Sequence, residues 1–225
     1  MGSLALSVVT EYAFTKAKRN ELFQHDRAVL LAHGAGADMN ADALVAVADA
    51  LRGAGVDSLR FNYPYRTAGK RFPDRPEVLL AATREAAVAL AKRTKLDMTR
   101  IVLGGRSMGG RYCSLVIGDA TDPLDALGLV LLAYPLHAPG RPHSVRDEHF
   151  HRIRVPVQFV SGTNDSFGSP QELKKSAKNL IRPPVWHWIK TADHGFKPRK
   201  RETGATIEDA HREMSAAVVS FVNAL

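Results

Sequence analysis

The chain has 225 residues, of which 45% are hydrophobic and 24% are charged. These proportions are close to the average of globular domains, which excludes a disordered or fibrous protein, and the length predicts one domain over residues 1–225. Lysine and arginine number 31 against 23 aspartates and glutamates, and the resulting net charge of +8 suits either nucleic acid or a small anionic ligand.

Short apolar runs alternate with longer, alanine-rich runs of helical periodicity along the whole chain. We expect strands at 1–10, 27–32, 56–61, 101–105, 127–133, 155–160 and 185–189. We expect helices at 40–52, 77–92, 108–117, 171–180 and 207–222. Asn40 is the expected cap of the first helix, and 66–76 is an expected loop. The alternation predicts an α/β fold, with a mostly parallel sheet and helices on both faces. The segment 135–154 has no predicted element and is too short for a separate cap domain.

The turn between the strand at 101–105 and the helix at 108–117 has the pattern Gly-x-Ser-x-Gly, with Ser107 at its centre. A serine on a sharp strand-to-helix turn has strained backbone angles, and the flanking glycines relieve the crowding. Its hydroxyl then lies at the carboxyl end of the sheet, where open α/β folds bind ligands. The alternative is a phosphate-binding turn, but the segment has neither a P-loop lysine nor a G-x-G-x-x-G pattern. The pattern therefore predicts a nucleophilic serine.

A serine nucleophile needs a base, and the base needs a carboxylate that orients it. Asp165 follows the strand at 155–160, and His194 follows the strand at 185–189. Both therefore lie at the sheet edge that carries Ser107, in the chain order Ser, Asp, His. Asp193 is directly next to the predicted base, so we interpret it as a cap of its loop. The predicted catalytic triad is Ser107, Asp165 and His194.

The remaining histidines and the single cysteine have structural interpretations. The histidines of the segment 135–154 match no structural zinc pattern, so no metal site is predicted, and most of them are expected in solvent. Cys113 lies six residues beyond Ser107 and is expected in the core. Four of these histidines lie in that segment, one lies on the strand at 185–189 as a packing residue, and one is a surface residue of the last helix: His137, His143, His149, His151, His187 and His211.

Backbone N–H groups are expected to form an oxyanion hole beside Ser107. One donor is Met108, the residue after the nucleophile, and the other comes from the loop 33–36. We assign the second donor to Ala35, with Gly34 as the alternative. Arg106 either forms a local ion pair or contacts an acidic substrate. The residues that could line a pocket are His33, Gly34, Tyr63, Arg66, Arg106, Phe167 and Phe196, although His33 is also interpreted as tying its loop down.

Four segments together resemble the motifs of α/β-hydrolases, and the resemblance covers nearly all of the chain. They are His33-Gly-Ala-Gly, Gly-Arg-Ser107-Met-Gly-Gly, Ser-Gly-Thr-Asn-Asp165 and Asp-His194-Gly-Phe. They are most similar to the compact, dienelactone-hydrolase-like branch, which includes uncharacterised bacterial hydrolases. The resemblance implies an α/β-hydrolase fold, with Ser107 as nucleophile, Asp165 as the triad acid and His194 as base. Dienelactone hydrolase itself uses a cysteine nucleophile, so the serine here departs from it.

These observations favour a serine hydrolase that cleaves an ester or related acyl bond of a small molecule and needs no cofactor. The alternative is a non-catalytic domain of the same fold that serves as an interaction module. No helix-turn-helix, zinc-finger or RNA-binding signature supports a nucleic-acid partner. The basic residues concentrate at 66–75, 141–154 and 197–201, where they are either solvated surface or steer an anionic substrate. The sequence does not predict an oligomeric state.

The location of the protein is expected to be cytoplasmic, with no membrane partner. No apolar run reaches the roughly 20 residues that a bilayer-spanning helix needs. Residues 1–10 lack the basic start of a signal peptide. The single cysteine excludes an internal disulfide and is compatible with a reducing compartment.

Overall fold

The computed structural model describes residues 11–18 and 26–225. Within these ranges seven strands form one sheet: β1 (Tyr12–Thr15), β2 (Ala28–Ala32), β3 (Asp57–Phe61), β4 (Ile101–Arg106), β5 (Gly128–Leu132), β6 (Val157–Gly162) and β7 (Val185–Ile189). Their order across the sheet is β1-β3-β2-β4-β5-β6-β7, and every pair is parallel except β1 with β3. The predicted, mostly parallel sheet is confirmed. The strand predicted at 1–10 lies outside the described residues, and β1 was not predicted.

The helices are α1 (Asp42–Gly53), α2 (Pro64–Thr67), α3 (Pro76–Thr94), α4 (Met108–Ile117), α5 (Pro170–Ser176), α6 (Lys200–Thr203) and α7 (Ile207–Asn223). The central strands β2 and β5 are apolar throughout because both of their faces are covered. Alternate strand residues such as Leu30 and Leu103 pack with α3 and α4, whereas Val29 and Val102 pack with α1 and α7. Helices on both faces are thus confirmed. None of these described helices is both long and apolar enough to cross a membrane.

Two local predictions near the predicted first helix and first loop are wrong. Asn40 does not cap α1, because the helix begins after Ala41 and has no side-chain cap. The backbone N–H of Asn40 instead donates to Asp38 Oδ1 at 2.8 Å, within a turn that precedes the helix. The expected loop at 66–76 begins inside α2, because Pro64 occupies the first helical position, where its fixed φ suits a helix start.

The segment 135–154 lies against α4 and contains a single 3₁₀ turn, Phe150–Arg152, so it does not form a separate cap domain. The expectation that most of its histidines are in solvent is wrong for His137 and His149, which are 5% and 1% exposed. His149 Nε2 donates to Ser114 Oγ at 2.7 Å, because that hydroxyl already donates to the carbonyl of Arg111. This bond anchors the segment to α4.

Candidate active site

Ser107 lies at the junction of β4 and α4, as predicted. Its φ is 52° and its ψ is −118°, a conformation that a non-glycine residue rarely adopts. The backbone holds this strained conformation, since the Ser107 N–H donates to the Leu132 carbonyl at 2.8 Å and its carbonyl accepts from Arg111 N–H at 3.0 Å. The turn therefore raises the hydroxyl above the end of the sheet.

The glycines around Ser107 are required by close contacts between backbone segments. A Cβ on Gly105 would lie 2.6 Å from the carbonyl oxygen of Ala32, and a Cβ on Gly109 only 2.3 Å from the same oxygen. Because carbonyl oxygens of a central strand cannot move away, side chains are excluded at both positions. The elbow can thus pack directly onto the end of β2, next to the loop 33–36.

The structure brings Ser107, Asp165 and His194 together in one chain of hydrogen bonds. His194 Nε2 is 2.9 Å from Ser107 Oγ. His194 Nδ1 is 2.9 Å from Asp165 Oδ2 and 3.0 Å from Oδ1. A carboxylate only accepts hydrogen bonds, so it selects the tautomer that has its proton on Nδ1 and leaves Nε2 free to accept from the serine hydroxyl. The Asp165 side chain is 1% exposed and that of His194 is 19% exposed.

The loops that carry Asp165 and His194 are joined to each other directly, a feature that the sequence reasoning missed. Asn164 N–H donates to the Ala192 carbonyl at 2.9 Å, and its side-chain amide donates to the Thr191 carbonyl at 3.2 Å. Thr191 N–H donates to Thr163 Oγ1 at 2.8 Å. The polar residues that precede Asp165 are the sequence feature from which these bonds could have been predicted. These bonds position the carboxylate against the imidazole.

Two further groups hold the imidazole of His194 in place. Asp193 Oδ1 accepts from the N–H groups of Gly195 and Lys197 at 2.8 and 3.0 Å, so it caps the loop as predicted and does not face the histidine ring. Phe167, a predicted pocket residue, stacks on that ring with centroids 3.9 Å apart at 23°. The ring is therefore restrained both by the backbone of its own loop and by the Phe167 ring that stacks on one of its faces.

Arg106 is bound to the histidine loop, and the local ion pair that the sequence left open does not form among the described residues. Its Nη2 donates to the carbonyl of His194 at 2.9 Å. No carboxylate among residues 11–18 and 26–225 lies within 4 Å of it, and burial lowers its pKa. Arg66, by contrast, forms an ion pair with Asp38 at 3.7 Å.

His33 is a buried, neutral residue that ties down the loop beside Ser107. Its Nδ1–H donates to the Gly34 carbonyl at 2.8 Å, and its Nε2 accepts from Tyr63 N–H at 3.1 Å. Burial lowers its pKa to about 4. The prediction that His33, Tyr63 and Phe196 line a pocket is corrected, because all three are 0% exposed and belong to the packed interior.

The backbone of the loop 33–36 is held in an orientation that suits an oxyanion donor. The Gly34 carbonyl accepts from His33 Nδ1–H and from Ala37 N–H, the latter at 3.1 Å. In a trans peptide the N–H points away from the carbonyl, so the N–H of Ala35 faces away from both donors. Within the described part of the chain, neither this N–H nor that of Met108 has an acceptor. A Cβ on Gly34 would lie 3.6 Å from Ser107 Cβ, which places this peptide beside Ser107.

Cys113 is a core residue, as predicted. It is 0% exposed, and its Sγ–H donates to the Gly104 carbonyl at 3.3 Å. Burial raises the pKa of its thiol to about 12, so it is not a thiolate near neutral pH. In the described ranges no group of three or more His, Cys, Asp or Glu side chains is arranged to hold a metal ion.

The two buried histidines, His33 and His149, make stability depend on pH. Burial lowers the pKa of each from 6.5 to about 4. In the pH range between these two values, the histidines therefore bind protons in the unfolded chain but not in the folded protein. Stability present at pH 7 is therefore lost as the pH falls through this window, by roughly 2 kcal/mol per histidine at pH 5. We expect denaturant unfolding to show a shallower loss between pH 7 and pH 5 in His149→Gln than in the wild type.

The exposed His143 provides the control for this measurement, because His143→Gln should keep the wild-type pH dependence. A His149→Gln variant that loses stability as steeply as the wild type over this range contradicts the assignment of a neutral, buried His149.

Solved structures of low sequence identity share this fold. An alpha-beta serine hydrolase homologue from Coxiella burnetii has a TM-score of 0.73 at 18% identity, over 94% of this chain and 90% of that one. An a/b serine hydrolase without lid from Xanthomonas campestris has a TM-score of 0.69 at 19% identity, over 94% and 89%. Dienelactone hydrolase from Anabaena variabilis has a TM-score of 0.68 at 16% identity, over 93% and 91%.

A family match agrees with these structural likenesses. The family described as alpha/beta hydrolase domain matches residues 25–223, which is nearly the whole chain. The resemblance inferred from the four sequence motifs is thus confirmed for the family and for the fold. The chain belongs to the alpha/beta hydrolase domain family.

Proposed function

We propose that this protein is a serine hydrolase that cleaves an ester or related acyl bond of a small molecule through an acyl-enzyme. The observation that supports this best is the unbroken hydrogen-bond chain from Asp165 through His194 to Ser107, with contacts of 2.9 Å on both sides of the imidazole. It coincides with the one serine that the fold holds at a positive φ among the described residues.

In the first half of the reaction Ser107 Oγ attacks the acyl carbon. His194 Nε2 accepts the hydroxyl proton as the new bond forms, and then donates it to the leaving group. The buried Asp165 stabilises the imidazolium and keeps the Nδ1–H directed at its carboxylate. Because Asp165 also accepts from Phe167 N–H at 2.8 Å, its carboxylate does not have to reorient during the reaction.

The tetrahedral intermediate carries negative charge on the former carbonyl oxygen. The N–H groups of Met108 and Ala35 are its proposed donors, since both lack acceptors within the described residues and belong to backbone next to Ser107. Each such donor is worth roughly 3 kcal/mol of transition-state stabilisation. The amino end of α4 adds a favourable dipole at the same place.

In the second half of the reaction water replaces the leaving group. His194 Nε2 accepts a proton from the water as its oxygen attacks the acyl carbon, and returns it to Ser107 Oγ when the acyl bond breaks. No cofactor takes part in either half. The 19% exposure of the His194 side chain leaves the imidazole accessible to water and substrate.

Labelling with a fluorophosphonate tests the proposal. This reagent forms a covalent bond with an activated serine, so we expect one adduct per folded chain, located on Ser107 by peptide mass mapping. Ser107→Ala should not be labelled, because no other activated hydroxyl is proposed. Ser144→Ala removes an exposed serine of the segment 135–154 and should be labelled like the wild type.

Two results would reject the proposal. One is a folded wild type that remains unlabelled, which would favour a non-catalytic interaction module of the same fold. The other is labelling that persists in Ser107→Ala.

A further inference from the structure

Arg111 lies one turn along α4 from the proposed nucleophile and has an unsatisfied guanidinium nitrogen. Its N–H donates to the Ser107 carbonyl, so its Cα is about 6 Å further along the helix axis. Long side chains on a helix point back toward its amino end, which here is the end that carries Ser107. The Nε of Arg111 is buried and has no hydrogen-bond partner in the described part of the chain. An unpaired buried N–H is unfavourable unless an acceptor reaches it.

Arg146 approaches the same region from the segment 135–154. The backbone around it is fixed on both sides, because its N–H donates to the Leu136 carbonyl at 2.8 Å and its carbonyl accepts from the Tyr134 hydroxyl. Its Nη1 donates to the Pro135 carbonyl at 3.3 Å. This arginine is therefore held in place within a segment that has almost no regular structure.

The two guanidinium groups act on each other electrostatically. Burial lowers the pKa of Arg146, and the positive charge of Arg111 lowers it further. The carboxylate of Glu148 acts in the opposite direction. Across residues 11–18 and 26–225, however, no carboxylate oxygen lies within 4 Å of either guanidinium, whereas Arg84 is paired with both Asp119 and Asp122. Two partly buried cations thus lie near each other, and no carboxylate of the described residues is paired with either of them.

We propose that Arg111 and Arg146 form a subsite for a carboxylate on the substrate, so that the enzyme acts on acyl compounds that carry a negative charge. The inference rests on the proposed hydrolase function, because it assigns the substrate class of the same site. A carboxylate accepts paired hydrogen bonds from guanidinium groups and removes the repulsion between them. The ring centre of Tyr112 is 5.8 Å from the Arg111 guanidinium.

The test compares two esters of equal chain length, the mono-p-nitrophenyl ester of adipic acid and p-nitrophenyl hexanoate. Hydrogen bonds to charged groups are worth about 1.5–3 kcal/mol. We therefore expect Arg111→Gln and Arg146→Gln each to lower kcat/KM for the adipate ester by roughly 10- to 100-fold. The hexanoate ester should change by less than about twofold, because it has no group for the arginines to bind.

Arg141→Gln is the matched control. It makes the same change of charge at an exposed arginine of the same segment, and it should leave both esters within about twofold of the wild type. Retained hexanoate activity shows that a variant is folded. The conservative Arg146→Lys keeps the charge and should recover part of the adipate activity.

Equal losses on both esters, or no loss on the adipate ester, would overturn the subsite. Failure of the hydrolase proposal has a different signature, in which the wild type hydrolyses neither ester. In that case calorimetric titration of Ser107→Ala with the adipate ester still tests the subsite. The subsite requires binding that is lost when Arg146→Gln is added, and it is rejected if binding is absent or unchanged.

Discussion

Replacing Asp165 by asparagine is expected to lower kcat on a hydrolysed ester by roughly 10³- to 10⁴-fold, with little change in KM. The asparagine oxygen at the Oδ1 position can still accept from Phe167 N–H, so its NH₂ group takes the place of Oδ2, the carboxylate atom closest to His194 Nδ1 at 2.9 Å. This arrangement selects the tautomer that has its proton on Nε2, which cannot accept the proton of Ser107. Steady-state kinetics on the same ester before and after the substitution measures the loss.

Asp193→Asn is the matched control for this experiment. It removes a negative charge one residue from His194, while the amide oxygen can still accept from Gly195 and Lys197. We expect a change of less than about tenfold, because this carboxylate is exposed and its effect on the imidazole is screened by solvent. A larger loss in Asp193→Asn than in Asp165→Asn would mean that the triad acid has been assigned to the wrong residue.

The second large effect concerns stability. Gly109→Ala is expected to destabilise the fold by about 4 kcal/mol or more, or to prevent folding. The added Cβ would lie 2.3 Å from the carbonyl oxygen of Ala32 and 2.7 Å from that of His33. Both atoms are backbone, so no rotation of a side chain can relieve the overlap, and α4 would have to move away from β2. Urea unfolding followed by circular dichroism gives the change in free energy.

Gly53→Ala provides a comparison at the end of α1, where an added Cβ would meet no atom within 4 Å. Alanine is favoured over glycine in a helix, so this variant should be unchanged or more stable by up to about 1 kcal/mol. Similar stability of Gly109→Ala and the wild type would show that the elbow does not need to contact β2 so closely.

The sequence alone was sufficient to predict the parallel sheet and the placement of Ser107, Asp165 and His194 at one of its edges. Its apolar runs are buried on both faces, which only a sheet covered on both sides can satisfy. Because parallel strands end at the same edge, residues that directly follow the strands β4, β6 and β7 had to meet there. The glycines around Ser107 reflect a local constraint on the backbone, so that turn could be recognised from the sequence alone.

Tertiary structure decided which polar groups found partners. Arg106 and His194 are 88 residues apart in the chain, and no local pattern predicts the bond between them. The burial of His33 likewise depends on the residues that surround it, so a pocket role could not be rejected from the sequence.

The net charge of +8 is a further example of what the sequence and the fold each determine. The sequence gives the number of cationic residues, but only the fold determines which of them have counter-ions. Arg84 is paired, whereas neither Arg111 nor Arg146 has a carboxylate within 4 Å in the described ranges. The physical reason is that backbone geometry and hydrophobic periodicity are local properties of a sequence, while hydrogen bonds and ion pairs between loops depend on how distant segments pack.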